Sequence, residues 1–63
     1  MFLTLFFCLL AGFPCKAVVP DLPPFASAEA CIERGYELER QWLAEHREWQ
    51  ESGVRCSAEK PKP

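Results

Sequence analysis

Residues 42–56 read WLAEHREWQESGVRC, and the fold depends on where in this stretch a helix stops. Upstream and into it, Cys31, Gly35, Leu38, Trp42 and Trp49 fall near one line at about 100° per residue. Ile32, Tyr36 and Leu43 widen that line into a broad apolar face, with Glu29, Glu33, Glu37, Arg40 and Arg47 mostly opposite. The simplest ending is Glu51, with Gly53 just beyond the cap. That ending conflicts with a Cys31–Cys56 bridge. A helix from 31 to 51 rises about 30 Å, and the remaining extended residues return only about 17 Å. Disulfide-linked Cα atoms must lie within about 7 Å. A stop near His46 or Arg47 cuts the rise to about 23 Å and stretches the return to roughly 30 Å. The sequence therefore predicts a small α+β fold: an amphipathic helix over about 28–47 packed by an extended return strand over about 49–57. The bridge closes a loop of about 26 residues and should contribute about 3 kcal/mol.

Working outward, Ser27 is placed to cap the helix N-terminus by accepting a bond from a first-turn N–H. Glu29 and Glu33 suit the positive end of the helix dipole. Glu37 and Arg40, three apart, form a candidate surface pair. Gly35 is the one poor helix former in this stretch. Before the helix, residues 18–26 form a Pro-rich linker; Pro20, Pro23 and Pro24 fix φ and remove donors, so it reads as extended spacer. After the strand, residues 58–63 end in Lys60-Pro61-Lys62-Pro63, a polar tail expected to be disordered.

Met1 to Phe13 carries one polar side chain, Thr4, and no charge. Three readings are open. As a secretory signal peptide, Phe2 to Phe13 is the apolar core, Pro14 breaks it, and Cys15 and Ala17 are small residues before a cut after Ala17. As a retained β-hairpin, a two-residue turn at Ala11-Gly12 pairs Cys8 with Cys15, and the flanking Phe, Leu and Val suit strands. As an uncleaved anchor, about 12 residues span only about 18 Å as a helix, short of a hydrocarbon core of roughly 30 Å.

The chain has 63 residues, too few to bury a large core, and such small scaffolds usually add disulfides, a metal or a partner. Its four cysteines fit a disulfide framework in an oxidising compartment: Cys31 and Cys56, with Cys8 and Cys15 as well if the start is retained, in which case four cysteines allow three pairings. Net charge is −2, with Lys and Arg interspersed among Glu, so the footprint of a nucleic-acid binder is missing. His46 with Cys31 and Cys56 would make a scattered zinc site without a C-x-x-C pair, and a helix cap is the commoner role for such a histidine. No metal or cofactor is expected. Glu33, Glu37, Glu45 and Glu48 read as a solvated helix face rather than acid–base groups, and the chain is too short for a deep catalytic pocket, so no enzyme is expected.

The aromatic residues carry the functional expectation. Tyr36, Leu38, Trp42 and Trp49 lie on the apolar helix line and its continuation. In a small protein such residues build the core; as an exposed helix face they would anchor a protein partner. The expected function is a small exported, disulfide-stapled interaction protein with a protein partner and no nucleic acid. The alternative is a membrane-inserted accessory peptide acting in phage lysis or envelope modulation, with membrane contact only through the N-terminal segment.

Several segments together carry a resemblance. They are the apolar start with Cys8 and Cys15, Phe25-Ala26-Ser27, Glu29-Ala30-Cys31 opening the helix, Trp42-Leu43-Ala44-Glu45-His46, Trp49, and Val54-Arg55-Cys56. Over most of residues 1–57 the chain resembles short uncharacterised bacterial and prophage-encoded exported proteins, which have a hydrophobic start, a Cys-bearing helix and a C-terminal strand ending in Cys. It departs from them in having Arg47-Glu48 where a Pro-Gly helix stop is usual. The resemblance implies an exported or phage-associated context and no particular activity.

Overall fold

Strong β-formers precede the helix in residues 2–9, and the extended stretch after the helix pairs with them. The computed structural model describes residues 1–60; Pro61–Pro63, the end of the expected tail, lie outside the described residues. Strands β1 (Phe2–Leu9) and β2 (Cys15–Val18) form a hairpin, helix α1 (Ala28–Glu45) follows, and strand β3 (Trp49–Ser57) returns. The sheet is antiparallel with order β2-β1-β3, so β1 is the central strand. Of the readings open for residues 1–17, the structure has the hairpin. A cut after Ala17 would remove the middle of the sheet. Among the described residues no helix is long and apolar enough to cross a membrane.

Register decides which side chains meet the helix. Leu3, Leu5 and Phe7 of β1 are buried under α1 with Cys31 and make the core. Their cross-strand partners share that face: Lys16 and Val18 from β2, and Glu51, Val54 and Cys56 from β3. The outer face carries Phe2, Thr4, Phe6 and Cys8. A bulge at Ser52, between the pairs Phe6–Gly53 and Phe7–Glu51, restores the phase, so that both Val54 and Glu51 face the helix.

The hairpin pairs Cys8 with Cys15 and bonds them, as the turn-centring argument requires. The connection is wider than the expected Ala11-Gly12 turn. It spans residues 10–13, with Gly12 N–H donating to the Leu9 carbonyl at 2.7 Å and Leu9 N–H to the Pro14 carbonyl at 3.1 Å. Gly12 takes φ +105°, which only glycine adopts freely; the Phe13–Pro14 peptide is cis. At the other end of β1, Met1 and Phe25 exchange two 2.7 Å bonds, tying the Pro-rich linker to the sheet.

Helix α1 starts as expected: Ser27 is the N-cap, its hydroxyl accepting from Ala30 N–H at 3.1 Å. It ends at Glu45, two residues before the expected boundary at 47, because His46 supplies the stop. His46 N–H donates to the Leu43 carbonyl and its Nδ1–H to the Trp42 carbonyl, so the ring satisfies a helix-end acceptor where a glycine cap is absent. Trp49 N–H then donates to the His46 carbonyl and closes the turn into β3. Glu37 pairs with Arg34 rather than with the expected Arg40. Ser57 Oγ donates to the Glu59 carbonyl, bending the chain at the start of the 58–63 tail.

Cys31–Cys56 is bonded with Cα atoms 6.2 Å apart, as the reach argument requires. On the chain-entropy model its separation of 25 residues is worth about 3.5 kcal/mol, and the separation of 7 for Cys8–Cys15 about 2.5 kcal/mol. Two disulfides fit an oxidising, extracytoplasmic environment.

Gly35 sets the distance between helix and sheet. A Cβ there would sit 2.7 Å from Val54 Cγ1 and 2.9 Å from Leu3 Cδ1. Helix propensity alone says Gly35→Ala should stabilise the protein by about 1 kcal/mol. Packing says the opposite, and overpacking costs about 1–3 kcal/mol. Net of the two, we expect Gly35→Ala to lower the urea-unfolding free energy by about 1 kcal/mol under oxidising conditions; a stabilised variant would mean the helix does not press on Leu3 and Val54.

Candidate functional site

The end of the molecule away from Cys31–Cys56 gathers most of the polar and aromatic chemistry. Trp42, in the last turn of α1, stacks on Phe7 of β1 with ring centres 3.9 Å apart and on His46 at 3.8 Å. Trp49 meets Trp42 edge-on at 5.9 Å. Lys16 reaches across from β2, its Nζ 4.8 Å from the Trp42 ring centre and 4.7 Å from that of Trp49. Each cation–π contact at such an exposed residue is worth about 0.5–1 kcal/mol. This cluster joins β1, β2, α1 and β3.

The expected interaction face of Tyr36, Leu38, Trp42 and Trp49 therefore divides. Leu38, Trp42 and Trp49 are half-buried and pack on the core. Tyr36 stands apart, 52% exposed beside Ile32 on the outer surface of α1. Cys31, Gly35, Leu38 and Trp42 do share one side of α1, which faces the sheet because Leu3, Leu5 and Phe7 need that cover; Trp49, read on the same line, lies in β3 beyond the helix.

The two most exposed large apolar side chains among the described residues lie on the hairpin loop: Leu10 is 64% and Phe13 84% exposed. The loop is held at its base. Cys8–Cys15 closes it, Leu10 N–H donates to the Glu48 carbonyl at 2.8 Å, and Gln50 Nε2 donates to the Leu9 carbonyl at 3.4 Å. From Leu9 to Pro14 it contains no charged residue. The sequence placed a turn at Ala11-Gly12, but the apolar run around it gave no sign that Leu10 and Phe13 stand exposed.

Glu39 was also missed. It sits on the buried flank of α1, 4% exposed, and its Oε2 has no hydrogen-bond partner. Burial raises its pKa from 4.5 to about 7, and the Glu51 carboxyl beside it adds to the rise by hydrogen bonding and charge. Cys31 and Cys56 are bonded to each other, which removes them as partners for His46. Among the described residues no cluster of three or more His, Cys, Asp or Glu is placed to hold a metal.

The raised value fixes a direction for stability. The folded chain keeps a proton on Glu39 that the unfolded chain releases, so stability falls as pH rises from about 4.5 to about 7 and stays reduced above. The loss is on the order of 3 kcal/mol. In urea titrations we expect Glu39→Gln to flatten most of that slope and to be more stable than the parent at about pH 8 by roughly 1–3 kcal/mol. A variant with the parent's slope would place the proton elsewhere. No family model, curated protein or solved structure matches this chain, so what it does has to follow from these side chains.

Proposed function

We propose that the protein is a small exported interaction module, disulfide-stapled, that engages a protein partner through the loop at residues 10–13. The carrying observation is the exposure of Leu10 and Phe13 on a loop closed by Cys8–Cys15. Two large apolar side chains held out in water weaken no part of the core if they are buried on binding, and a loop already ordered loses little entropy when it docks. Burying both contributes about 3–6 kcal/mol. The two disulfides support delivery to the periplasm or outside the cell, in keeping with the bacterial or phage context implied by the resemblance.

One observation favours the second reading, a membrane-inserted accessory peptide. The same loop is uncharged, and Trp42, Trp49 and Lys16 lie just behind it, a set of residues suited to a membrane–water interface. No binding surface for nucleic acid and no catalytic centre enters either reading.

The test places a benzophenone side chain at Ala11 and exports the protein. A single discrete crosslinked species, lost when Leu10→Ser and Phe13→Ser are combined, supports a protein partner. Binding of the purified protein to phosphatidylcholine vesicles, lost in the same double variant, supports the membrane reading. Because both side chains are exposed, the double variant should unfold within about 1 kcal/mol of the parent. Neither a discrete crosslink nor vesicle binding would remove the loop as the contact.

A further inference from the structure

Among the described residues, Glu39 is the one ionisable side chain that is buried, and one of its oxygens has no partner. The carboxyl beside it belongs to Glu51, which is exposed and lies at the bulge of β3. The pair bridges α1 and β3 where no covalent bond does. The Cys31–Cys56 staple lies at the opposite end of the same interface, where Cys56 pairs with Leu3; Glu51 pairs with Phe7.

We propose that Glu39 and Glu51 form a proton-operated latch between α1 and the bulge of β3. With one proton on the pair, the two carboxyls attract by a hydrogen bond. Without it they are two like charges, one of them buried, and the bulge moves away from the helix to admit water. Cys31–Cys56 keeps the rest of the interface together, so the opening is confined to the Trp49 end. Trp49 lies two residues from Glu51 and touches Trp42 edge-on, so it reports the movement. Gln50 and Glu48, which hold the base of the loop at Leu9 and Leu10, lie in the segment that moves.

Among the described residues no cation is placed to cancel the second charge, and Arg47, in the turn between α1 and β3, is exposed. From β1, the side chains under α1 are Leu3, Leu5 and Phe7. From β2, Lys16 is turned onto the Trp42 and Trp49 rings. Arg55 of β3 pairs with Thr4, on the sheet's other face. On α1 itself Arg40 is exposed, Arg34 is paired with Glu37, and His46 is stacked on Trp42.

The latch is tested by carboxyl-carbon NMR of glutamate-labelled protein from about pH 4 to about pH 9, with disulfides intact, following the Trp49 indole N–H in parallel. The Glu39 carboxyl is expected to titrate with a midpoint near pH 7, and the Trp49 signal to move with the same midpoint. Glu39→Gln should abolish the Trp49 transition. Glu51→Gln, at an exposed position, should shift both midpoints down together. The latch is overturned by an ordinary carboxylate midpoint for Glu39, by a Trp49 signal that stays still or moves equally in Glu39→Gln, or by midpoints that Glu51→Gln leaves unchanged.

Discussion

The close approach of α1 to the inner row of β1 carries the rest of the molecule. Leu3, Leu5, Phe7 and Cys31 are the buried apolar centre, and they meet only because Gly35 lets the helix come within contact of Leu3 and Val54. Once α1 is that near, one register places Cys31 by Cys56, Glu39 by Glu51 and Trp42 over Phe7. A slip of β3 by one residue would turn Cys56 and Val54 to the outer face. The disulfide and the strand register therefore enforce each other, and the bulge at Ser52 lets Glu51 share the face of Val54 in spite of the odd spacing between them.

What could be read from the sequence was whatever a distance argument could reach. Given a Cys31–Cys56 bridge, the return from helix to Cys56 had to be long enough, which set the helix stop near 47 and the strand at about 49–57. The N-terminal segment was ambiguous for a physical reason. A central strand is covered or half-covered on both faces, so Phe2 and Phe6 on the outer row are as apolar as Leu3, Leu5 and Phe7 on the inner one. The period-2 alternation that marks a half-buried strand is then erased, and what remains has the length and composition of a signal-peptide core. The helix stop was hard to place because His46 ends α1 with its ring rather than with a glycine backbone. Helical periodicity also grouped Leu38 and Trp42 without saying whether their side looked to water or to the sheet; Trp49 meets Trp42 only because β3 returns there. The buried position of Glu39 did leave a signal: at about 100° per residue it falls roughly 80° from Cys31, inside the arc that Ile32, Tyr36 and Leu43 widen. That Glu51 meets it there had none, since it depends on where the bulge of a strand distant in sequence comes to lie.

A chain of this size buries too little apolar surface to stand on its core alone. Closing two loops covalently makes up part of that deficit, and it changes what the remaining residues are free to do. Leu10 and Phe13 can be left in solvent because the core does not need them, and their loop stays ordered because Cys8–Cys15 closes it. A buried carboxyl can be kept beside another because Cys31–Cys56 holds the same interface elsewhere.

The staples also divide the molecule unequally. At the Leu3 end, the disulfide, the N-cap of α1 and the Met1–Phe25 bonds fix helix, sheet and linker to one another. At the Leu9 end, the disulfide closes only the hairpin, and β3 is tied to its neighbours by backbone bonds, an edge-on tryptophan contact and a pair of carboxyls. Local opening follows the least constrained contacts, so it belongs at that end. The exposed loop lies there too, its base held by Glu48 and Gln50 on either side of Trp49. Whatever holds β3 against α1 near Glu51 therefore also holds the loop in the shape it presents.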